Sequence, residues 1–199
     1  ELEATAQKPG EKVLDRGDVA KALAGAAKKH SALYTTPHLA HAAMEPLVAT
    51  AHVTKEGCTA WAPVQNPQAA QDTLAAALGL PKKQCVVNVT LLGGGFGRKS
   101  KPDFVAEAAL LSREVGAPVK VQWSRQDDMQ HDYYHSNAAV YLEAGLDDNG
   151  ATTAWLQRTA FPSISSTFAP DVKMPSVGEL GLGFTDVPYA IPNLRAEKG

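Results

Sequence analysis

The stretch Leu91-Leu92-Gly93-Gly94-Gly95-Phe96-Gly97-Arg98-Lys99 decides how this chain is read. Before it runs Cys85-Val86-Val87-Asn88-Val89-Thr90, whose β-branched residues predict a strand with buried faces. After it comes 103–115, where apolar residues recur at helical spacing and Gly116 stands ready to end the helix. Glycines at 93, 94, 95 and 97 leave backbone amides bare and permit positive φ, so a ligand can come close to the main chain. The same residues also suit a tight strand-to-helix turn with no ligand, and the stretch alone leaves both readings open.

Working outward, Pro118–Ser124 alternates Val119, Val121 and Trp123 with Lys120 and Gln122, a half-buried strand. Residues 137–146 and 152–161 read as two strands around the hairpin turn Asp147-Asp148-Asn149-Gly150. Upstream, Asn66 at a cap and Pro67 at the first helical position predict a helix to Leu78, stopped by Gly79. Strands are expected over 31–36, 47–54 and 58–63, the last two joined by a turn at Lys55-Glu56-Gly57. Asp18 is placed to cap a helix reaching about His30. Residues 1–17 read as an extended arm, and prolines, glycines and serines make 162–199 loop-rich. The order predicts an α+β domain over 18–199: a layered, mixed β-sheet with about three helices.

Composition narrows the function classes. With 44% hydrophobic and 20% charged residues, the 199-residue chain is of globular type. A net charge of −2 gives no electrostatic case for nucleic acid. Two cysteines, Cys58 and Cys85, cannot hold an iron–sulfur cluster or a structural zinc by themselves. Buried free thiols are expected, with a disulfide left open for an exported protein.

The glycine stretch fails as a phosphate loop because Arg98 separates Gly97 from Lys99. It fails as a dinucleotide fingerprint because Arg98 stands where a third glycine belongs. Arg98, Lys99 and Lys101 are then either neutralisers of a phosphate near the helix start or a solvated basic face. His38 and His41 lie three apart, and His131 and His135 four apart, but prolines bracket the first pair and no acidic partner accompanies the second. Hydrogen-bonded or exposed histidines are expected rather than a protein-ligated metal. Asp127-Asp128 beside Arg125 reads as a helix start with surface pairing.

Three segments together carry a resemblance. His41-Ala-Ala-Met-Glu-Pro46, Trp61-Ala-Pro-Val-Gln-Asn-Pro-Gln68 and Leu91–Lys99 resemble the molybdenum-cofactor-binding subunit of the xanthine dehydrogenase/aldehyde oxidase family, nearest its branch of isoquinoline 1-oxidoreductase large (beta) subunits. The segments 119–129 and 187–195 extend the likeness to about residues 31–195.

The resemblance implies part of the first molybdopterin-binding domain of a molybdenum hydroxylase. Such an enzyme oxidises an N-heteroaromatic ring or an aldehyde with oxygen from water. In that family the metal is held by pterin sulfurs, so no protein metal ligand is expected. Gln65 matches the glutamine that hydrogen-bonds an oxygen ligand of molybdenum; Gly94, Gly95, Phe96 and Gly97 match the loop beside metal and pterin. Met44 and Glu45 fall in a segment read as structural, so Glu45 has no catalytic role.

The catalytic base is a glutamate expected beyond Gly199, and Glu179 is not assigned to it. Ser100 stands where xanthine dehydrogenases have a glutamate, which disfavours a purine. By the same resemblance the cofactor is molybdenum–molybdopterin in the cytosine dinucleotide form. Partners are an iron–sulfur (alpha) subunit and the remainder of the molybdenum subunit, the substrate is a small aromatic or aldehyde, and the location is the periplasm by resemblance, otherwise the cytoplasm. The fragment alone is expected to be inactive. The alternatives are a non-catalytic module that keeps the fold and, more weakly, a nucleotide-binding domain.

Overall fold

A computed structural model describes residues 1–169 and 171–199. In chain order the elements are α1 (Leu2–Ala6), β1 (Glu11–Arg16), α2 (Val19–Ala24), β2 (Lys28–Thr36), β3 (Val48–Val53), β4 (Cys58–Ala62), α3 (Pro67–Leu78), β5 (Cys85–Val89) and α4 (Asp103–Val115). There follow β6 (Val119–Gln122), α5 (Arg125–Gln130), β7 (Ala138–Leu146), β8 (Thr152–Ala160), α6 (Val177–Leu180) and β9 (Asn193–Lys198). The class is the expected mixed α and β fold, with two mixed sheets and six α-helices among the described residues.

The chain divides into two compact units, a split unlike the 18–199 boundary expected from the sequence. One comprises 1–39 and 136–199, with a five-stranded sheet ordered β1-β9-β8-β7-β2. Its pairings are antiparallel except β8 with β9. The other comprises 40–135, with a four-stranded sheet ordered β5-β4-β3-β6 in which β4 and β5 run parallel.

The 40–135 unit carries the glycine stretch. Its sheet buries Ala49, Ala51, Cys58, Ala60, Ala62 and Cys85 against Leu74 of α3 and Phe104, Val105 and Ala108 of α4. Small residues on the strands let the two helices lie close, and the fully buried Leu74 and Phe104 fill the layer between. Asn66 accepts from the Ala69 N–H to open α3, and Gly79 closes it at φ +68°. Cys58 and Cys85 face each other in register on β4 and β5 and are free thiols. Burial pushes Cys58 up to about 11 and Cys85 upward as well, so both stay protonated and unreactive.

Three expectations need correction in the other unit. The arm over 1–17 is instead a short helix and a strand, β1, that pairs with β9. The Asp18-capped helix ends at Gly25, and Lys28, Lys29 and His30 belong to β2, paired with β7 in one unbroken antiparallel register. Nine residues of ladder outweigh the helical leaning of an alanine- and lysine-rich run. The loop-rich tail hides β9, whose alternation of Leu194 and Ala196 with Arg195 and Glu197 places it between β1 and β8. Pro170, in the stretch expected to be loop, lies outside the described residues.

Candidate functional site

Strand β5 delivers the chain into the glycine stretch, and a single 3-10 turn at Arg98–Ser100 leads it out toward α4. The loop is held from below by side chains far away in sequence. The Gln65 side chain accepts a hydrogen bond from the Gly97 N–H at 3.0 Å, and the Gln65 backbone N–H donates to the Lys99 carbonyl at 3.0 Å. Glu45 receives the Gly93 N–H at 3.2 Å and the Lys99 ammonium at 2.6 Å, while the Glu45 N–H donates to the Gly93 carbonyl.

Arg98 is almost fully buried and forks onto Asp103 through bonds of 2.8 and 2.9 Å. The rings of Trp123 and Tyr133 flank its guanidinium at 5.5 and 5.0 Å. Arg98 and Lys99 are therefore neither a solvated basic face nor available to a phosphate. Their charges are neutralised inside the unit by Asp103, Asp132 and Glu45. Only Asp103 lies near Arg98 in sequence; Glu45 and Asp132 are far off, so no spacing signals the pairing.

The loop backbone is unusual in two respects. Gly94 and Gly97 have φ of +94° and +98°, and Phe96 sits at +50°, a region that costs a non-glycine residue about 1–2 kcal/mol. Strain of this kind persists where surrounding contacts over-determine the backbone. The second respect is unspent hydrogen-bonding capacity. The N–H groups of Gly94, Gly95 and Phe96 have no hydrogen-bond partner among the described residues, and Gly95 is buried. Buried amides are almost always paired, so the free donor of the buried Gly95 points to an acceptor, and those of Gly94 and Phe96 lie on either side of it.

The glycines are also required by the floor. A Cβ on Gly95 would lie 2.4 Å from the Gln65 Oε1, and one on Gly93 would lie 2.5 Å from the Glu45 Cβ. Around the loop, Met44, Leu91 and Phe96 are exposed apolar groups.

Gln65 thus stands together with Gly94, Gly95, Phe96 and Gly97, all five sequence-expected residues in one place. The Gly97 N–H fixes the orientation of the Gln65 amide, since a donor there requires the oxygen, not the nitrogen. Nε2 is left as an outward donor with no partner among the described residues.

A histidine pair adds what sequence spacing does not show. His41 gives its backbone N–H and its Nδ1–H to a single Asp132 oxygen, at 2.5 and 2.9 Å, and its ring lies against His135, tilted by 36° with centroids 3.9 Å apart. The two histidines, expected to be hydrogen-bonded or exposed, are tied into one cluster beside Gly97. The Asp127-Asp128 reading is partly corrected. Asp127 forms a capping box with Ser124, but Asp128 is buried and ion-paired with Arg125, not on the surface. Among the described residues no three His, Cys, Asp or Glu side chains are grouped as metal ligands.

Glu179, outside this unit, is a structural carboxylate. Burial alone would raise its pKa. The Ser176 N–H and hydroxyl, the Ser163 hydroxyl and the Ile164 N–H outweigh that and hold it down at about 2.

The class that this fold and loop define is an α+β domain whose glycine loop leaves main-chain donors open. A model of the molybdopterin cofactor-binding domain matches residues 4–198, and the chain belongs to that family. It is 31% identical over 151 residues to a nicotinate dehydrogenase chain of Pseudomonas putida, covering 76% of this chain and 13% of that protein. It is 35% identical over 106 residues to the beta chain of isoquinoline 1-oxidoreductase of Brevundimonas diminuta, covering 53% of this chain and 14% of that one. Among solved structures, aldehyde oxidoreductase from Desulfovibrio gigas superposes with a TM-score of 0.72 at 20% identity, over 98% of this chain and 21% of that one. The chain spans only 13–14% of the length of the first two relatives.

Proposed function

We propose that this chain forms the glycine-loop wall of the molybdenum–pterin site in a hydroxylase that oxidises an N-heteroaromatic ring or an aldehyde. The observation that carries the reading is the run of three unpaired amides at Gly94, Gly95 and Phe96 beside the outward Nε2 of Gln65. Four neutral donors on a floor that is already charge-balanced suit an acceptor-rich, anionic group of sulfur and oxygen ligands. When bound, the molybdenum cofactor supplies the redox chemistry, taking electrons from the substrate as oxygen from water is added.

What this chain's residues do is orient and shield. The loop amides and Gln65 Nε2 hold acceptor atoms in place, and Phe96, 64% exposed, is positioned to wall the substrate side. Glu45 is committed to Lys99 and Gly93, and Glu179 to its own loop, so neither is offered as a base. On this reading the base is a glutamate beyond Gly199 and the pterin is the cytosine dinucleotide form. Electrons pass to iron–sulfur clusters of a partner subunit, and the enzyme works in the periplasm. The chain on its own is then inactive.

In the full-length enzyme, Gln65→Ala should lower turnover by about 10²-fold, the cost of losing a preorganised donor. Unchanged turnover would remove Gln65 from the site.

A further inference from the structure

Beneath the loop, one carboxylate joins two distant parts of the 40–135 unit. The Asp132 side chain is fully buried. One of its oxygens takes both donors of His41, and the other stands 2.9 Å from Arg98 Nε. That last contact is close enough for an ion pair but not aligned as a hydrogen bond, and Arg98 Nε and Asp132 Oδ1 are the two orphaned buried side-chain atoms among the described residues. His41 in turn faces the loop: a Cβ on Gly97 would meet its Nε2 at 3.7 Å and its Cδ2 at 4.0 Å. Arg98 is the residue after Gly97. Both routes from Asp132 therefore end at Gly97, whose N–H fixes the Gln65 amide.

We propose that Asp132 is the positioning residue of the glycine loop, setting, through His41 and Arg98, the direction of the Gln65 donor and the Gly94–Phe96 amides. This rests on the cofactor reading given above. Asp103 already pairs with Arg98 by two bonds, so a merely neutralising partner for Arg98 would be redundant. What Asp132 adds is the tie to His41, 91 residues away in sequence. A fixed carboxylate on Nδ1 sets the imidazole's tautomer and ring plane, and hence the surface on which Gly97 rests.

The test uses the complete enzyme, with Asp132→Asn, Asp132→Glu and His41→Gln compared with wild type. Molybdenum and pterin content, the Mo(V) electron paramagnetic resonance spectrum, kcat and KM are read for each. Asp132→Asn should keep most of its molybdenum and pterin and show an altered Mo(V) spectrum. Its kcat per loaded site should fall about 10–100-fold, the usual effect of losing an outer-shell partner, with KM little changed. Asp132→Glu, which restores the charge, should recover part of that loss.

A loaded Asp132→Asn enzyme with wild-type kcat and spectrum would overturn the proposal. If Asp132→Asn does not fold, His41→Gln decides. It leaves the Asp132–Arg98 pair in place and must show the same loss and spectral change, and wild-type behaviour there overturns the proposal. A wild-type enzyme lacking molybdenum and pterin would overturn the cofactor reading and this proposal with it. Loaded wild type with silent variants would overturn this proposal alone.

Discussion

Two irregular stretches, the glycine loop at 91–101 and the part of the tail loop around Glu179, are held in opposite ways. Around Glu179 the anchors are local, although Arg16 and Gln157 reach the Ile191 and Phe184 carbonyls further along the tail. Ser176 and Glu179 form a capping box, and Glu179 also takes Ser163 and Ile164, all within seventeen residues. The glycine loop is instead pinned by residues 32 to 54 positions away, Gln65 and Glu45, and its own three amides are left over. Local bonds consume the donors around Glu179, whereas the glycine loop, held by distant side chains, keeps main-chain donors in reserve.

The comparison can be broken by perturbing each kind of anchor. Removing the buried cation should have the largest effect: Arg98→Ala leaves Asp103 and Asp132 without their shared partner and should cost about 3–5 kcal/mol in chemical denaturation. A loss below about 1 kcal/mol, the level of a surface pair, would show that the loop is not anchored by this charge.

The tail loop should respond more weakly and with pH. Glu179 has a folded pKa of about 2 against an ordinary value of 4.5, so ionisation favours the folded state. Its contribution is present above pH 4.5 and is lost as pH falls toward 2. The melting temperature of wild type should therefore exceed that of Glu179→Gln by a constant few degrees near neutrality, with the gap closing in acid. A gap independent of pH would contradict the local-carboxylate account. The smallest effect is expected at a helix start away from both loops, where Asn66→Ala should cost about 1 kcal/mol through the lost bond to Ala69.

Much of this is legible in residues. The strand, glycine loop and helix over 85–116, the Asn66-Pro67 start and the Asp147–Gly150 hairpin follow from local turn and cap chemistry, and the structure has each of them. Strand β9 is hidden because ion pairs cover it. Glu197 pairs with Arg158 and Arg195 with Asp15, so a central strand carries charges that read as loop. Helix α2 reads too long in the sequence because Gly25, its actual end, sits within an alanine-rich run.

At the site, Gln65 and the glycines follow from resemblance to a family, and the structure brings them together. The role of Arg98 and Lys99 is not legible, since basic residues beside a glycine loop look alike whether solvated or buried. Asp103 is a near neighbour, but the partners at 45 and 132 are set by tertiary folding alone. The Asp132–His41 tie is invisible for the same reason.

The most direct measurement is the molybdenum and pterin content of the full-length subunit, wild type beside Gly95→Ala. The added Cβ would fall 2.4 Å from Gln65 Oε1, displacing the amide that holds Gly97. The account predicts stoichiometric molybdenum and pterin in wild type and a marked loss in the variant with the fold intact. Wild type free of both, or a variant loaded to the same level, would contradict it.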